Sequence, residues 1–413
     1  MLRSMFAGVS GLRGHQVMMD VVGNNIANVN TAGFKGSNAV FQDLLSQVLS
    51  GGGAPGQLRG GTNPAQVGLG SRLASIQTNF GQGALQVTGR STDVAIQGDG
   101  FFMVNVGGQQ LYTRAGNFDF DGNGNLVTPD GGRVQGWMAN PQTGQINANG
   151  PTGPLTMPPG QLLAPVQTTG IGIGNMLNAG AAIGATVSSS ITAYDAQGIE
   201  NDIRFTFEKT ANNEWTIEAF DNSGTSLGTN VLEFDPSDGN IASQSQDPWE
   251  LTPGTGTWNA PITIDFGDPA TDANALREFG GSSTAGALGQ NGSEAGTLQS
   301  FNIADNGVIT GVFSNGGSQT IGQLALANFN NPAGLEKAGG SNYRVTPNSG
   351  QPQVGAAGEG GRGGLAAGSL EMSNVDLAQE FTNLIIAQRG FQANSKMITA
   401  SDEILQDLLS MKR

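Results

Sequence analysis

The sequence predicts a mainly β protein with α-helical termini, and three observations carry that reading. Near both ends, apolar residues recur at alternating three- and four-residue spacing, the mark of a helical seam. Through the long middle, short runs alternate apolar and polar residues between Gly, Asn and Asp turns. Glycine makes up 66 of the 413 residues, more than twice the usual share of about 7 %, as suits a chain that turns often between short strands. At this length one simple core is exceeded, so roughly two to four domains are expected.

The N-terminal stripe runs from Leu2 through Met5, Val9, Leu12, Gln16, Met19, Gly23 and Ile26. Gly8, Gly11, Gly14 and Gly23 weaken it, each costing about 0.8 to 1 kcal/mol relative to Ala inside a helix. Alone, such a helix frays. The same glycines, with Ser4 and Ala7, permit close approach of a second helix, so the pattern points to folding on assembly. Asn24, Asn25, Asn28 and Asn30 are expected to end the helix by entering left-handed conformations and bonding local backbone, with Gly33 finishing the turn.

The C-terminal stripe is more regular: Leu377, Phe381, Leu384, Gln388, Phe391, Ser395, Ile398, Asp402, Leu405 and Leu409. Ser373 and Asp376 form a near capping box, and Lys412 with Arg413 complements the helix dipole. Patterned stripes at both ends need a partner to bury them. The candidate polymer interface is therefore Met5, Val9, Leu12, Met19 and Ile26 with Leu377, Phe381, Leu384, Phe391, Ile398, Leu405 and Leu409. An intramolecular helical hairpin is the simpler alternative.

Between the ends, "LQVTGRSTDVAIQG", "GFFMVNVGG", "IRFTFEK", "EWTIEAFD", "ITIDFGD" and "IGQLALANF" read as strands, with hairpin turns at Asp121, Ala196 and Asn222. "LSGGGAPGQLRGG" and "GQPQVGAAGEGGRGG" read as flexible Gly-rich connectors. The expected division is nested antiparallel β domains, one inserted in the other, inside a coiled-coil frame. Residues 1–30 and 373–413 form the terminal helical domain, 31–75 and 355–372 the connectors, 76–148 and 295–354 an inner β domain, and 149–294 an inserted outer β domain.

Charge follows the same division. Residues 1–36 carry +2 and residues 373–413 carry −1 of a total of −15, which leaves −16 for the remainder. Near-neutral ends suit packing against protein, and an acidic middle suits water. The acidic balance repels phosphate backbones and anionic lipid surfaces, so neither nucleic acid nor membrane insertion is expected. No segment approaches the roughly 20 apolar residues of a bilayer span, and the N-terminus lacks a secretory pattern. The absence of Cys removes disulfides, thiolate nucleophiles and Cys-bound zinc. No cofactor is implied, and no Ser or carboxylate constellation suggests an enzyme.

One stretch carries possible metal chemistry. "DFDGNGNLVTPD" places Asp119, Asp121, Asn123 and Asp130 at positions 1, 3, 5 and 12 of a calcium-loop template. Strand-like flanks, Pro129, and Asp in place of the bidentate Glu favour a hairpin turn instead. His15, the only histidine, is expected to pack, since it has no second His or Cys partner. "GIGIGN" lacks the lysine of a phosphate loop.

The segment "NNIANVNTAGFKG" with "FQDLL" behind it resembles the N-terminal signature of bacterial flagellar rod and hook proteins, with Asn24, Asn25, Asn28, Asn30, Thr31, Gly33, Phe34 and Lys35 as the motif residues. "SNVDLAQEFTNLIIAQRGFQANSKMITASDEILQDLLSMKR" is similar to the C-terminus of the hook members. "DVAIQGDGFFMV", "YTRAGNF" and "LANFNNPAGLEKAGGSNYRVTPNSG" resemble further family blocks. The likeness spans about residues 1–148 and 295–413. It implies a structural subunit that polymerises into a short curved tube, a universal joint transmitting torque from rod to filament. Implied partners are further copies of the chain, the distal rod, a hook cap, hook–filament junction proteins and the flagellar export apparatus. The implied location is the extracellular flagellum, at the hook and basal body, reached without a cleaved signal peptide. Chain length and the acidic insert favour a hook role over a distal rod role. From another class, a secreted calcium-stabilised adhesin or surface protein remains the alternative.

Overall fold

The computed structural model describes residues 2–54, 60–141, 143–157, 160–254 and 256–411. The expected dipole contribution of Lys412 and Arg413 and the side chain of Leu409 lie outside the described residues. The chain divides into two compact units: residues 1–158, 301–310 and 320–413, and residues 159–300 and 311–319.

Both ends of the first unit are helical: α1 is Leu2–Ala27 and α2 is Leu377–Ser410. They run antiparallel, because Gly8 lies beside Ile398, Gly11 beside Asn394, and Gly390 beneath the His15 ring. A Cβ at Gly11 would stand 2.6 Å from Asn394 Nδ2, and one at Gly390 would collide with the imidazole. Gly8 and Gly11 thus admit α2 at close range, whereas Gly14 faces the Phe41 ring and Gly23 has no neighbour within 4 Å; His15 packs as its isolation implies. The cap of α2 differs from expectation. Asp376, not Ser373, accepts from the backbone N–H groups of Ala378 and Gln379, because the chain stays extended through Asp376.

The segment read as the first connector is a long antiparallel hairpin. Strand β1 (Ser37–Asp43) pairs with β4 (Ser71–Thr78), and β2 (Ser46–Ser50) pairs with β3 (Ala65–Gly68) farther out. Five residues at its tip, 55–59, lie outside the described set. The alternation in "SNAVFQD" satisfies the ladder, while Gly70, with φ +114°, makes a turn rather than loosening the chain. The second connector is ordered too: Gly364–Ala367 pairs with Val94–Gln97, and Ser369–Glu371 with Leu85–Val87. Glycine content alone misled here, because positive-φ positions in turns and flexible linkers use the same residue.

The β part of this unit centres on Phe101–Val106, which pairs with Gln109–Thr113, Arg133–Met138 and Leu326–Asn328. Phe101, Tyr112, Trp137, Phe329 and Tyr343 form one aromatic core. Phe101 meets Phe329 and Tyr343 edge-on, with ring centroids 5.7 and 5.8 Å apart.

In the second unit, Thr186–Tyr194, Glu200–Ala211, Glu214–Phe220, Ser226–Phe234 and Ile241–Gln244 form a five-stranded antiparallel meander. Its apolar face packs on the sheet containing Gly170–Gly174 and Ile262–Asp265, burying Phe205, Phe207, Trp215, Ile217, Trp249 and Ile264. "GIGIGN" is thereby a strand and its turn. The turns at Asp121, Ala196 and Asn222 each close a hairpin, as expected.

Candidate assembly surface and the buried junction beneath it

The asparagine-rich motif acts through side-chain bonds rather than through left-handed backbone. None of Asn24, Asn25, Asn28 or Asn30 has positive φ. Helix α1 instead runs through Asn24 and Asn25, and their amides find partners that a left-handed turn would otherwise supply. Asn25 is buried: its Oδ1 accepts from Ser37 N at 3.0 Å, and its Nδ2 donates to Ser37 O at 2.8 Å and to Glu380 Oε1 at 3.2 Å. One amide thus ties α1, the start of β1 and the first turn of α2. Asn28 Nδ2 donates to Asn24 O, and Asn28 Oδ1 accepts from Thr31. Asn30 is exposed.

Gly33 does adopt positive φ, +68°, and donates its N–H to Glu371 O at 2.7 Å. A side chain there would strike the Arg114–Ala115 peptide. Phe34 lies under the Lys337 ammonium, 5.0 Å from ring centroid to Nζ. Lys35 is completely buried, donating to Glu371 Oε1 at 2.6 Å and to Gly81 O at 2.9 Å. Arg114 reaches the other carboxylate oxygen of Glu371 at 3.4 Å and lies 5.3 Å from the centre of the Phe101 ring. Glu371 also accepts from Gly83 N at 2.8 Å. Burial pulls the Lys35 ammonium below its usual range, and Glu371 opposes that shift; Arg114 responds in the same way. Lys35, Arg114 and Glu371 make a desolvated triad that staples the N-terminal motif to the C-terminal strand and the β core. Glu371 and Arg114 escaped sequence reasoning because Glu371 stands 336 positions from Lys35, beyond any local pattern.

The candidate interface residues divide between two faces. Met5, Leu12, Met19, Ile26, Leu384, Ile398 and Leu405 are half-buried within the chain, whereas Val9, Leu377, Phe381 and Phe391 are exposed. The seam of α2 against α1 is built from Glu380, Ala387, Gly390, Asn394 and Ser401 together with the half-buried Leu384, Ile398 and Leu405, so only part of the apolar stripe faces α1. Small and polar residues take the close crossing. Large ones are left outside it, notably Phe6 at 70 %, Phe381 at 50 %, Ile385 at 52 % and Ile386 at 54 % exposure. The outer hairpin adds Leu45, Val48 and Leu49, all exposed, which sequence reading had taken as part of a connector. Exposed apolar area of this extent marks interaction surface.

The loop weighed for calcium is a hairpin turn. Asp121 accepts from Asn123 N, Asn125 N and Asn125 Nδ2, so side-chain and backbone bonds from Asn125 hold its carboxyl low. Asp119 faces Arg90, and Asp130 accepts from Thr128 Oγ1 and from Asn342 Nδ2. Asn123 contributes its backbone N–H to the turn. Among the described residues no group of three acidic or imidazole side chains is placed to surround an ion. No described helix is long and apolar enough to cross a membrane.

Comparison with known proteins covers the same regions. Residues 5–35 match the flagella basal body rod protein family, and 366–411 the C-terminal flagellar basal body rod FlgEFG family. Residues 95–176 match the flagellar hook protein FlgE/F/G D1 domain, and 178–293 the flagellar basal body protein FlaE D2 domain. The flagellar hook protein FlgE of Treponema pallidum is 40 % identical over the whole of both chains. The flagellar basal-body rod protein FlgG of Bacillus subtilis is 33 % identical, again over the whole of both. A crystal structure of Helicobacter pylori flagellar hook protein FlgE2 shares the fold, with a TM-score of 0.52 at 16 % identity, over 70 % of this chain and 100 % of that one. The chain belongs to the flagellar hook protein family.

Proposed function

We propose that the chain polymerises through its terminal helices into the short curved tube of the flagellar hook, a universal joint that passes torque from rod to filament. The observation that carries this is the apolar surface of α1 and α2 left uncovered after the two helices have packed together, with Phe6 towards one end of the pair and Phe381, Ile385 and Ile386 towards the other. Residues 1–30 and 373–413 form the assembly domain, and identical surfaces meeting head to tail generate a helical polymer without ring closure. The Lys35–Glu371–Arg114 triad passes load from the helices into the β core of the same unit. The role is structural rather than catalytic. The higher identity to the hook relative, 40 % against 33 % for the rod relative, supports a hook role over a distal rod role.

On this reading the neighbours are further copies of the chain, the distal rod, a hook cap and hook–filament junction proteins. The subunit is delivered by the flagellar export apparatus to the extracellular flagellum. Neither nucleic acid nor a bilayer is a partner, in keeping with a formal charge of −15. Electron microscopy of the purified chain across a concentration series tests the reading. Tubes appearing above a threshold concentration are expected, and a monomer at every concentration overturns it.

A further inference from the structure

A groove of about 380 Å³ runs between α1 and the β1–β4 hairpin. Phe6, Val9 and Arg13 line one wall, and Leu44, Arg72 and Leu73 line the other. Arg13, Arg72, Phe6 and Val9 are exposed. Arg72 lies against the Gln42 amide. Among the described residues neither guanidinium has a carboxylate within ion-pair distance. The groove is therefore apolar at its floor and doubly cationic at its rim.

The complementary pattern stands at the end of α2. Asp407 neighbours both Glu403 and Ile404 on the helix surface, since residues three and four apart are adjacent there. All three are exposed, while Ser401 and Leu405 face α1. That face presents two neighbouring carboxylates with one apolar side chain beside them, complementary in charge to the groove. Asp407 cannot reach Arg13 of its own chain. Arg13 lies between Gly11, which faces Asn394, and His15, which covers Gly390. Asp407 is thus some 15 residues farther along α2, about 22 Å at 1.5 Å per residue.

We infer that the groove between α1 and the hairpin receives the acidic end of α2 from a second copy of the chain. Ile404 enters between Phe6 and Leu73, and Glu403 and Asp407 meet Arg13 and Arg72. This rests on the self-assembly reading above and specifies one of its contacts. The surfaces differ, so each copy offers one groove and one helix end, as an open polymer requires.

The absence of native Cys makes a direct test available. Polymer of the Arg13→Cys, Asp407→Cys double variant is mildly oxidised and run on a denaturing gel. A ladder of covalent multimers is expected, because a disulfide needs Cα atoms within about 7 Å and the intrachain separation forbids it. An Arg13→Cys, Ser237→Cys control should stay monomeric. As a second arm, Arg13→Glu with Arg72→Glu, and separately Glu403→Lys with Asp407→Lys, should each raise the threshold concentration at least about tenfold, roughly the factor that 1.4 kcal/mol represents. Combining all four should restore it to within about threefold. If the glutamate pair fails to fold, Arg13→Gln with Arg72→Gln carries the same comparison. Wild-type tubes without a ladder, or with thresholds unmoved by either charge change, overturn this contact and leave self-assembly standing. Failure of the wild type to polymerise overturns the self-assembly reading itself.

Discussion

The second unit and the terminal helices bury apolar surface in opposite ways. In the second unit, Trp215, Phe205, Phe207 and Ile217 are completely enclosed, and even the cation among them is matched. Lys209 donates to Glu278 at 3.1 Å and to Ala179 O at 2.6 Å, while Trp215 Nε1 donates to the same Glu278 oxygen at 2.9 Å. In the helices, the contact face holds Gly8, Gly11, Ala387, Gly390 and Ser401 with the half-buried Leu384 and Ile398, while Phe6, Phe381, Ile385 and Ile386 stay exposed. A domain that is finished alone encloses its aromatics. A domain that leaves Phe6 and Phe381 in water is finished by something else.

The strongest way to break this comparison is to charge the uncovered face. Phe381→Asp with Ile385→Asp should abolish tubes in electron micrographs, yet shift monomer stability by no more than about 0.5 kcal/mol per site, the usual effect of an exposed substitution. Leu384→Asp, on the half-buried side of the same helix, should instead loosen α1 from α2 in the monomer, visible as lost helical circular dichroism. Equal effects from both sites would erase the distinction between the two faces.

The next largest effects lie in the enclosed interiors. Trp215→Ala should cost about 3 to 5 kcal/mol in denaturant melts followed on the second unit. Glu371→Gln should cost a similar amount, about 3 to 5 kcal/mol, because it strands two buried cations. Lys35→Met should cost clearly less, since Arg114 and Glu371 remain paired. A Lys35 variant as damaged as the Glu371 variant would contradict the triad as described.

The smallest effects come from protons, and the two regions respond with opposite signs. Asp221 is held low by the Ser223 hydroxyl and the Thr225 N–H; at Asp195 burial pushes upward, but bonds from Thr257, Ile199 and Gln197 outweigh it. Their stabilisation is present above the ordinary carboxylate value of about 4 and is lost as pH falls through their lowered values. Glu380 is the reverse. Burial raises it against the bond from Asn25, and its Oε2 has no partner among the described residues. Its contribution is complete below about pH 4 and is lost as pH rises through the raised value. Acid should therefore weaken the second unit first, seen through Trp215, Trp249 and Trp258. Glu380→Gln should raise the melting temperature slightly at neutral pH and leave it unchanged near pH 4.

Much of this was legible from residues alone, and what escaped has physical causes. Helical spacing located α1 and α2, and turn chemistry located the hairpins at Asp121, Ala196 and Asn222, because those signals are local. The Lys35–Glu371–Arg114 triad is not local, and no spacing rule links residues hundreds of positions apart. The ordered hairpin from Ser37 to Thr78 was hidden by its glycines. The apolar stripe of α2 was read as one polymer interface, whereas Leu384, Ile398 and Leu405 are half-buried within the chain and Leu377, Phe381 and Phe391 are exposed. Its contact face was disguised by Ala387, Gly390 and Ser401, residues chosen for closeness rather than hydrophobicity.

Amide hydrogen exchange, compared between dilute monomer and sedimented polymer, tests the central claim most directly. Protection should rise severalfold in peptides of α1 and α2 carrying Phe6, Phe381 and Ile385, with little change in peptides around Trp215. Polymer whose terminal helices exchange as fast as in the monomer, with new protection confined to the second unit, would contradict it.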